Sequence, residues 1–258
     1  GMDMTAFEKA ELKLDEGVAY LQQRDYKKSY ISFTAAIRLW PNYGEAYCQL
    51  GLTCLKHPEY QDLALGHFNS AMTSGLESER VYLGRGDAYQ NRGEYAKAIA
   101  DYGKAIELDP QSSIAIQLLA QLYYDIGQQK EAVETYKIAI KKEEDKKIKA
   151  DLYFNLGVIF NQIGLFDEAE VAFDEAYYFN DQDFEAVMGM ARAFEGLGDK
   201  YKDGTDGVEK DLSKAARWYK KAEKKIKLFI LIILQPPIEV FIFATHFKYT
   251  QTGTAGKK

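Results

Sequence analysis

Apolar and small positions along this chain return with a period of about 34 residues. One series of small residues falls at Gly17, Gly51, Gly86, Ala120, Gly157 and Ala191, at intervals of 34, 35, 34, 37 and 34. Three residues after each stands Tyr20, Cys54, Tyr89, Tyr123, Phe160 or Phe194. A second series follows in each unit: Ser29, Ala64, Ala98, Ala132, Ala169 and Ala215. Four residues later come Phe33, Phe68, Tyr102, Tyr136, Phe173 and Tyr219, and three later again Ala36, Ala71, Ala105, Ala139, Ala176 and Ala222. Steps of four and three place small, aromatic and small side chains on one helical face. Between the two series sits a break: Arg24-Asp25, Arg92-Gly93-Glu94, Ile126-Gly127-Gln128 or Ile163-Gly164-Leu165. Each unit therefore reads as helix, tight turn, helix. A single hairpin cannot bury its apolar stripe, whereas stacked hairpins can, so the period predicts a solenoid.

Read this way, the chain is all-α, a right-handed α-solenoid of about six helix-turn-helix repeats. Repeats are expected at about 10–43, 44–78, 79–112, 113–149, 150–183 and 184–225, followed by an apolar tail over 226–258. Three departures from the period carry predictions. An extra residue falls near His57-Pro58. The charged stretch from Lys141 to Lys149 adds three residues to the fourth interval, read as a longer, solvated second helix. In the last unit Ala215, Tyr219 and Ala222 arrive about twelve residues late, after an insert over 199–213 with Gly204 and Gly207 suited to a turn and Asp211 or Ser213 to a helix cap.

The spacing resembles the tetratricopeptide repeat. The match is fullest in the third unit, with Tyr82, Gly86, Tyr89, Ala98, Tyr102, Ala105 and Pro110. Gly17, Tyr20, Phe33, Ala36 and Pro41 carry it in the first, and Tyr153, Leu156, Gly157, Phe160, Ala169, Phe173 and Ala176 in the fifth. The insert and Trp218 make the last unit similar to a Sel1-like repeat, with a glycine spacing one residue wider than that pattern. The resemblance implies a non-catalytic scaffold that binds a peptide or partner helix in a concave groove lined by the first helices. It assigns to that groove Arg80, Asp87, Gln117, Gln121, Tyr124, Phe154, Asn161 and Arg192. Amides would satisfy the backbone of a partner, and rings such as Tyr124 and Phe154 would anchor it. A subgroup of the family grips a carboxylate terminus with Lys and Asn. Here Leu14 and Val18 occupy those places in the first unit, and Gly84 stands where a second cation beside Arg80 is expected, so that clamp is not expected.

Composition narrows the alternatives. The 14% of aromatic residues is high, but the repeat consumes most of them as packing. A net charge of −6 with no clustered basic footprint outside residues 220–227, whose lysines are read as the solvated face of a last helix, argues against nucleic acid as a partner. Cys48 and Cys54 share a helix about 9 Å apart along its axis, too far for a disulfide. Cys54 is expected in the core and Cys48 on the groove side. Three histidines lack metal-ligand spacing, and Gly253-Thr254-Ala255-Gly256-Lys257-Lys258 has no flanking strand and helix to make it a phosphate loop. No cofactor and no catalysis are expected. Gly1-Met2-Asp3-Met4 is not a basic stretch followed by an apolar run, so no export signal is expected at this end and the setting is read as cytoplasmic.

At Leu228 the pattern ends in seven consecutive apolar residues, then Pro236-Pro237 and a second apolar run. By count, 228–247 reaches the length of a membrane span, but Pro236, Pro237 and Glu239 near its centre oppose insertion. An irregular cap, self-association, a membrane anchor and a segment foreign to the repeat remain open. A structural or assembly subunit acting through this tail is the alternative function.

Overall fold

The structure is a computed structural model that describes residues 3–180 and 184–231. Its described residues form twelve α-helices and one short 3-10 helix, with no strand among them. The first helices of the hairpins are α1 (Ala6–Gln22), α3 (Gly44–Lys56), α5 (Glu79–Asn91), α7 (Ser113–Asp125), α9 (Lys146–Gln162) and α11 (Phe184–Asp203). The second helices are α2 (Tyr26–Leu39), α4 (Gln61–Thr73), α6 (Tyr95–Leu108), α8 (Gln129–Lys142), α10 (Phe166–Phe179) and α12 (Leu212–Phe229).

Local chemistry starts and stops these helices. Thr5 and Glu8 form a reciprocal capping box on α1, and Asp25, Ser78, Ser112, Asp145 and Asp211 accept backbone N–H bonds at the starts of α2, α5, α7, α9 and α12. The turn into α6 needs a left-handed residue, and Gly93 supplies it at φ +76°. There the Glu94 N–H returns to the Tyr89 carbonyl at 2.9 Å. Arg24 takes the same place before α2 at φ +59°, with the Asp25 N–H bonded to the Tyr20 carbonyl.

The helices divide into two compact units, α1 to α7 and α8 to α12. In the first, α1, α3 and α5 pair with α2, α4 and α6, and each second helix also packs on the next first helix, ending with α7 on α6. In the second, α8 packs on α9, α9 pairs with α10, and α11 pairs with α12. The core inside each hairpin is a ring set into a glycine. A methyl group on Gly17, Gly51, Gly86 or Gly157 would stand 2.5–2.7 Å from the ring of Phe33, Phe68, Tyr102 or Phe173 respectively. The small residues at Ser29, Ala64, Ala98, Ala132 and Ala169 are fully buried beside those rings.

Two irregularities resolve differently from their sequence reading. The extra residues at 141–149 do not lengthen the second helix. At 14 residues α8 equals α2, α6 and α10, while α9 has 17 against 13 for α3, α5 and α7. The acidic triplet is the cause. Glu143 Oε1 accepts the N–H groups of Glu144 and Asp145, and Asp145 Oδ1 accepts those of Lys147 and Ile148, so the chain stops one helix and caps the next within three residues.

In the last hairpin α11 runs for 20 residues, and the ring of Tyr219 sits on Gly198, two turns beyond the register residue Ala191. Trp218, one residue before Tyr219, is buried and stacks on Phe194 at 5.7 Å. The connecting loop bends at Gly204, Asp206 and Gly207, all at positive φ, and closes with the Asp211 N–H on the Tyr201 carbonyl at 2.8 Å. At the C-terminal end α12 continues to Phe229, so residues 226–229 of the expected tail are its last turn. The rest of that tail, 232–258, lies outside the described residues. No helix among the described residues is long and apolar enough to cross a membrane.

Candidate functional site

Five of the sequence-derived groove residues lie in the first unit. On α5, Arg80 is exposed and ion-paired to Glu45 of α3. Asp87 is half-buried and accepts the hydroxyl of Tyr102 from α6, which also lies 2.9 Å from Gln90 Oε1. Burial raises the Asp87 pKa, against the Tyr102 bond and the charge of Lys56, which lower it. On α7, Gln117, Gln121 and Tyr124 are all half-buried, and their spacing of four and three puts them in one stripe. Gln121 donates to Asp125 at 2.8 Å.

The other three lie in the second unit. Phe154 on α9 is not a presented anchor: its ring packs against Phe173 at 5.6 Å and covers Gly189, whose added methyl group would meet it at 3.0 Å. Asn161 on α9 accepts from Lys200 of α11 at 3.3 Å, and Lys200 also lies over the Phe166 ring. Arg192 on α11 is exposed. Arg80, Asp87, Asn161 and Gln121 thus all have protein partners, and Gln117, Gln121 and Tyr124 stand together as one stripe on α7.

The thiols also depart from their expected places. Cys48 is fully buried along with Cys54, not on a groove surface, and both are free. Burial pushes their pKa values up to about 11 and about 12, so both remain protonated thiols at neutral pH.

Sequence reasoning missed a feature at the start of the first-helix layer. Glu8, Glu11 and Asp15 of α1 border a hollow of about 380 Å³ together with Leu12, Leu14 and Tyr43. Tyr43 is half-buried, and burial first, then the charges of Glu11, Asp15 and Glu45, raise its pKa. The i, i+3, i+7 spacing of the three α1 carboxylates was visible in the chain, but the position of Tyr43 against them follows from α3 packing on α1.

His67 on α4 gives the first unit a pH dependence. Its ring stands edge-on to Tyr30 at 6.1 Å, and its buried Nε2 has no hydrogen-bond partner among the described residues. Tyr30 in turn stacks on Tyr60, which packs against His57. Desolvation lowers the His67 pKa in the folded state. Its stabilising contribution is therefore complete above the unfolded value of about 6.5 and is lost as pH falls from there through the depressed folded value. Thermal melts of the wild type and of His67→Phe at pH 7.5 and 5 should show a smaller acid loss in the variant; equal losses would exclude His67 as a source.

Comparison with known proteins places this architecture. The tetratricopeptide repeat profile matches residues 79–112, and a second tetratricopeptide repeat profile matches residues 118–184. Superkiller complex protein 3 of Homo sapiens is 32% identical over 100 residues, which are 39% of this chain and 6% of that protein. The chain therefore spans only a small part of that relative's length. Among solved structures, the MamA protein superposes with a TM-score of 0.60 at 22% identity, over 68% of this chain and 93% of that one. YrrB, described as a TPR protein with an unusual peptide-binding site, superposes with a TM-score of 0.56 at 16% identity, over 68% and 88% of the two chains. At these identities the structural likeness establishes the fold, an α-solenoid, and the two profiles identify tetratricopeptide repeats within residues 79–112 and 118–184.

Proposed function

We propose that the chain is a non-catalytic interaction scaffold that binds an extended peptide or a partner helix along the exposed faces of its first helices. The observation that carries this reading is the stripe Gln117, Gln121 and Tyr124 on α7: two amides and a phenol, half-buried and aligned, on a helix whose other side supplies the core residues Ala115 and Leu122. Amides can satisfy both the N–H and the C=O of a partner backbone, and a half-exposed tyrosine supplies contact area at low entropic cost. Arg80 and Asp87 on α5 extend the proposed surface in the first unit. In the second unit Asn161 and Arg192 are the counterparts, and Phe154 serves as packing against Phe173 and Gly189. Tetratricopeptide repeats serve protein interaction, and the peptide-binding description of YrrB supports a groove of this kind here.

The last hairpin reads as Sel1-like, supported by its long first helix and by the positive φ of Gly204 and Gly207. Two reduced, buried thiols fit the reducing setting of the cytoplasm.

The test is affinity capture on the full-length chain and on its Tyr124→Ala/Gln121→Ala variant, with partners identified by mass spectrometry. Recovery of the specific partner should fall more than about tenfold in the variant, as for loss of a central aromatic anchor, while far-ultraviolet circular dichroism stays unchanged. Undiminished capture by a folded variant would remove the α7 stripe from the binding surface.

A further inference from the structure

We propose that the bound segment carries a lysine or arginine whose side chain enters the hollow beside Tyr43, with aliphatic residues following it onto the faces of α1 and α3. This rests on the first-helix binding surface proposed above and names the chemistry of its partner.

The hollow combines three properties that fit a long cationic side chain. Leu12 and Leu14 flank it on either side of the carboxylates, and the methylene stem of Lys or Arg can lie against them. Its rim is acidic, with Glu8, Glu11 and Asp15 spaced along one face of α1. Tyr43 also lines it, with its ring packed against Phe7 at 5.4 Å, and a phenol ring is a surface to which a cation is attracted.

The local charge is unbalanced. Lys13 is committed to Glu16, and Arg80 to Glu45. Among the described residues neither Glu11 nor Asp15 has an ion-pair partner. Burial first, and then the charges of Glu11, Asp15 and Glu45, raise the pKa of the Tyr43 phenol beside them. A carboxylate terminus would be repelled here, and a cation would be drawn in.

Beyond the hollow the layer turns apolar. Val18 on α1 and Leu52 and Leu55 on α3 are half-buried, with Leu52 and Leu55 seated on the core below. A segment that places a cation at the hollow therefore meets aliphatic surface next. The occupant that matches both parts is amphipathic and basic at the end that lies over α1.

A library of random 12-residue peptides selected on the full-length chain tests this, with affinities of the enriched peptides measured by fluorescence anisotropy. Enriched peptides should carry Arg or Lys beside Leu, Ile or Phe. Glu11→Gln/Asp15→Asn, two exposed positions that leave the helix intact, should weaken them roughly tenfold, the combined effect of two ion pairs, and should flatten their salt dependence. Enrichment without basic residues, or affinity indifferent to the carboxylate variant, overturns the hollow. If Tyr124→Ala/Gln121→Ala still weakens those peptides, the binding surface survives that result. Peptides weakened by the carboxylate variant alone would uphold the hollow and sink the α7 surface. No enrichment over a bare support would overturn both.

Discussion

Arg85→Ala is expected to destabilise the first unit by about 3–5 kcal/mol, the cost of stranding a buried charge. Arg85 of α5 makes a two-pronged contact with Asp101 of α6, Nε to Oδ2 at 2.9 Å and a terminal nitrogen to Oδ1 at 2.8 Å. Asp101 is buried, with a side chain only 6% exposed, so water cannot replace the lost guanidinium. The same guanidinium reaches Asn69 of α4 at 3.2 Å and stands within 6 Å of the rings of Tyr82 and Tyr89. One side chain therefore joins the second hairpin to the third. Urea titrations followed by circular dichroism should show the loss, and Arg85→Met/Asp101→Leu should recover most of it, because removing both charges leaves no uncompensated carboxylate. A single variant as stable as the wild type would show that Asp101 is solvated in solution.

Phe68→Ala should cost a similar amount, roughly 3–5 kcal/mol for an aromatic ring lost from a packed core. Phe68 is fully buried and lies between two glycines on two different helices. A methyl group on Gly51 of α3 would stand 2.7 Å from the ring, and one on Gly84 of α5 would come closer still. The ring thus holds the helices of its own hairpin together and clasps the next hairpin as well. Gly84→Val tests the other side of the contact and should destabilise by roughly 1–3 kcal/mol through overpacking. Combining Phe68→Leu with Gly84→Ala should cost less than the sum of the two, since each relieves the other's misfit. Strict additivity would mean that Gly84 and Phe68 do not meet.

Gly84 illustrates how much of the architecture was readable in advance. From sequence it stood out only as the wrong residue for a cationic clamp. In the fold it is the seat of a ring from the preceding hairpin. By contrast, Phe33, Phe68, Tyr102, Tyr136 and Phe173, picked out by the period, are all buried, together with Ala36, Ala71, Ala105, Ala139 and Ala176. The charged stretch before α9 was misassigned because helical periodicity alone does not say which of two adjoining helices takes extra residues. The capping geometry of Asp145 decides that. The candidate site was less legible than the fold. Exposure of a residue such as Phe154 depends on what the next helix sets against it, and Gly189 of α11 closes over that ring.

The sequence by itself determined the class of fold, the hairpin turns and which face of each helix is buried, because these depend on spacings of three and four residues within one helix and on the backbone freedom of single residues. Tertiary structure alone decided the pairings that depart from the period. It seated Tyr219 on Gly198 instead of Ala191, passed Phe68 to Gly84, and gathered Tyr43 with three α1 carboxylates. These contacts join residues whose separation along the chain varies with helix and loop length, so no fixed period encodes them.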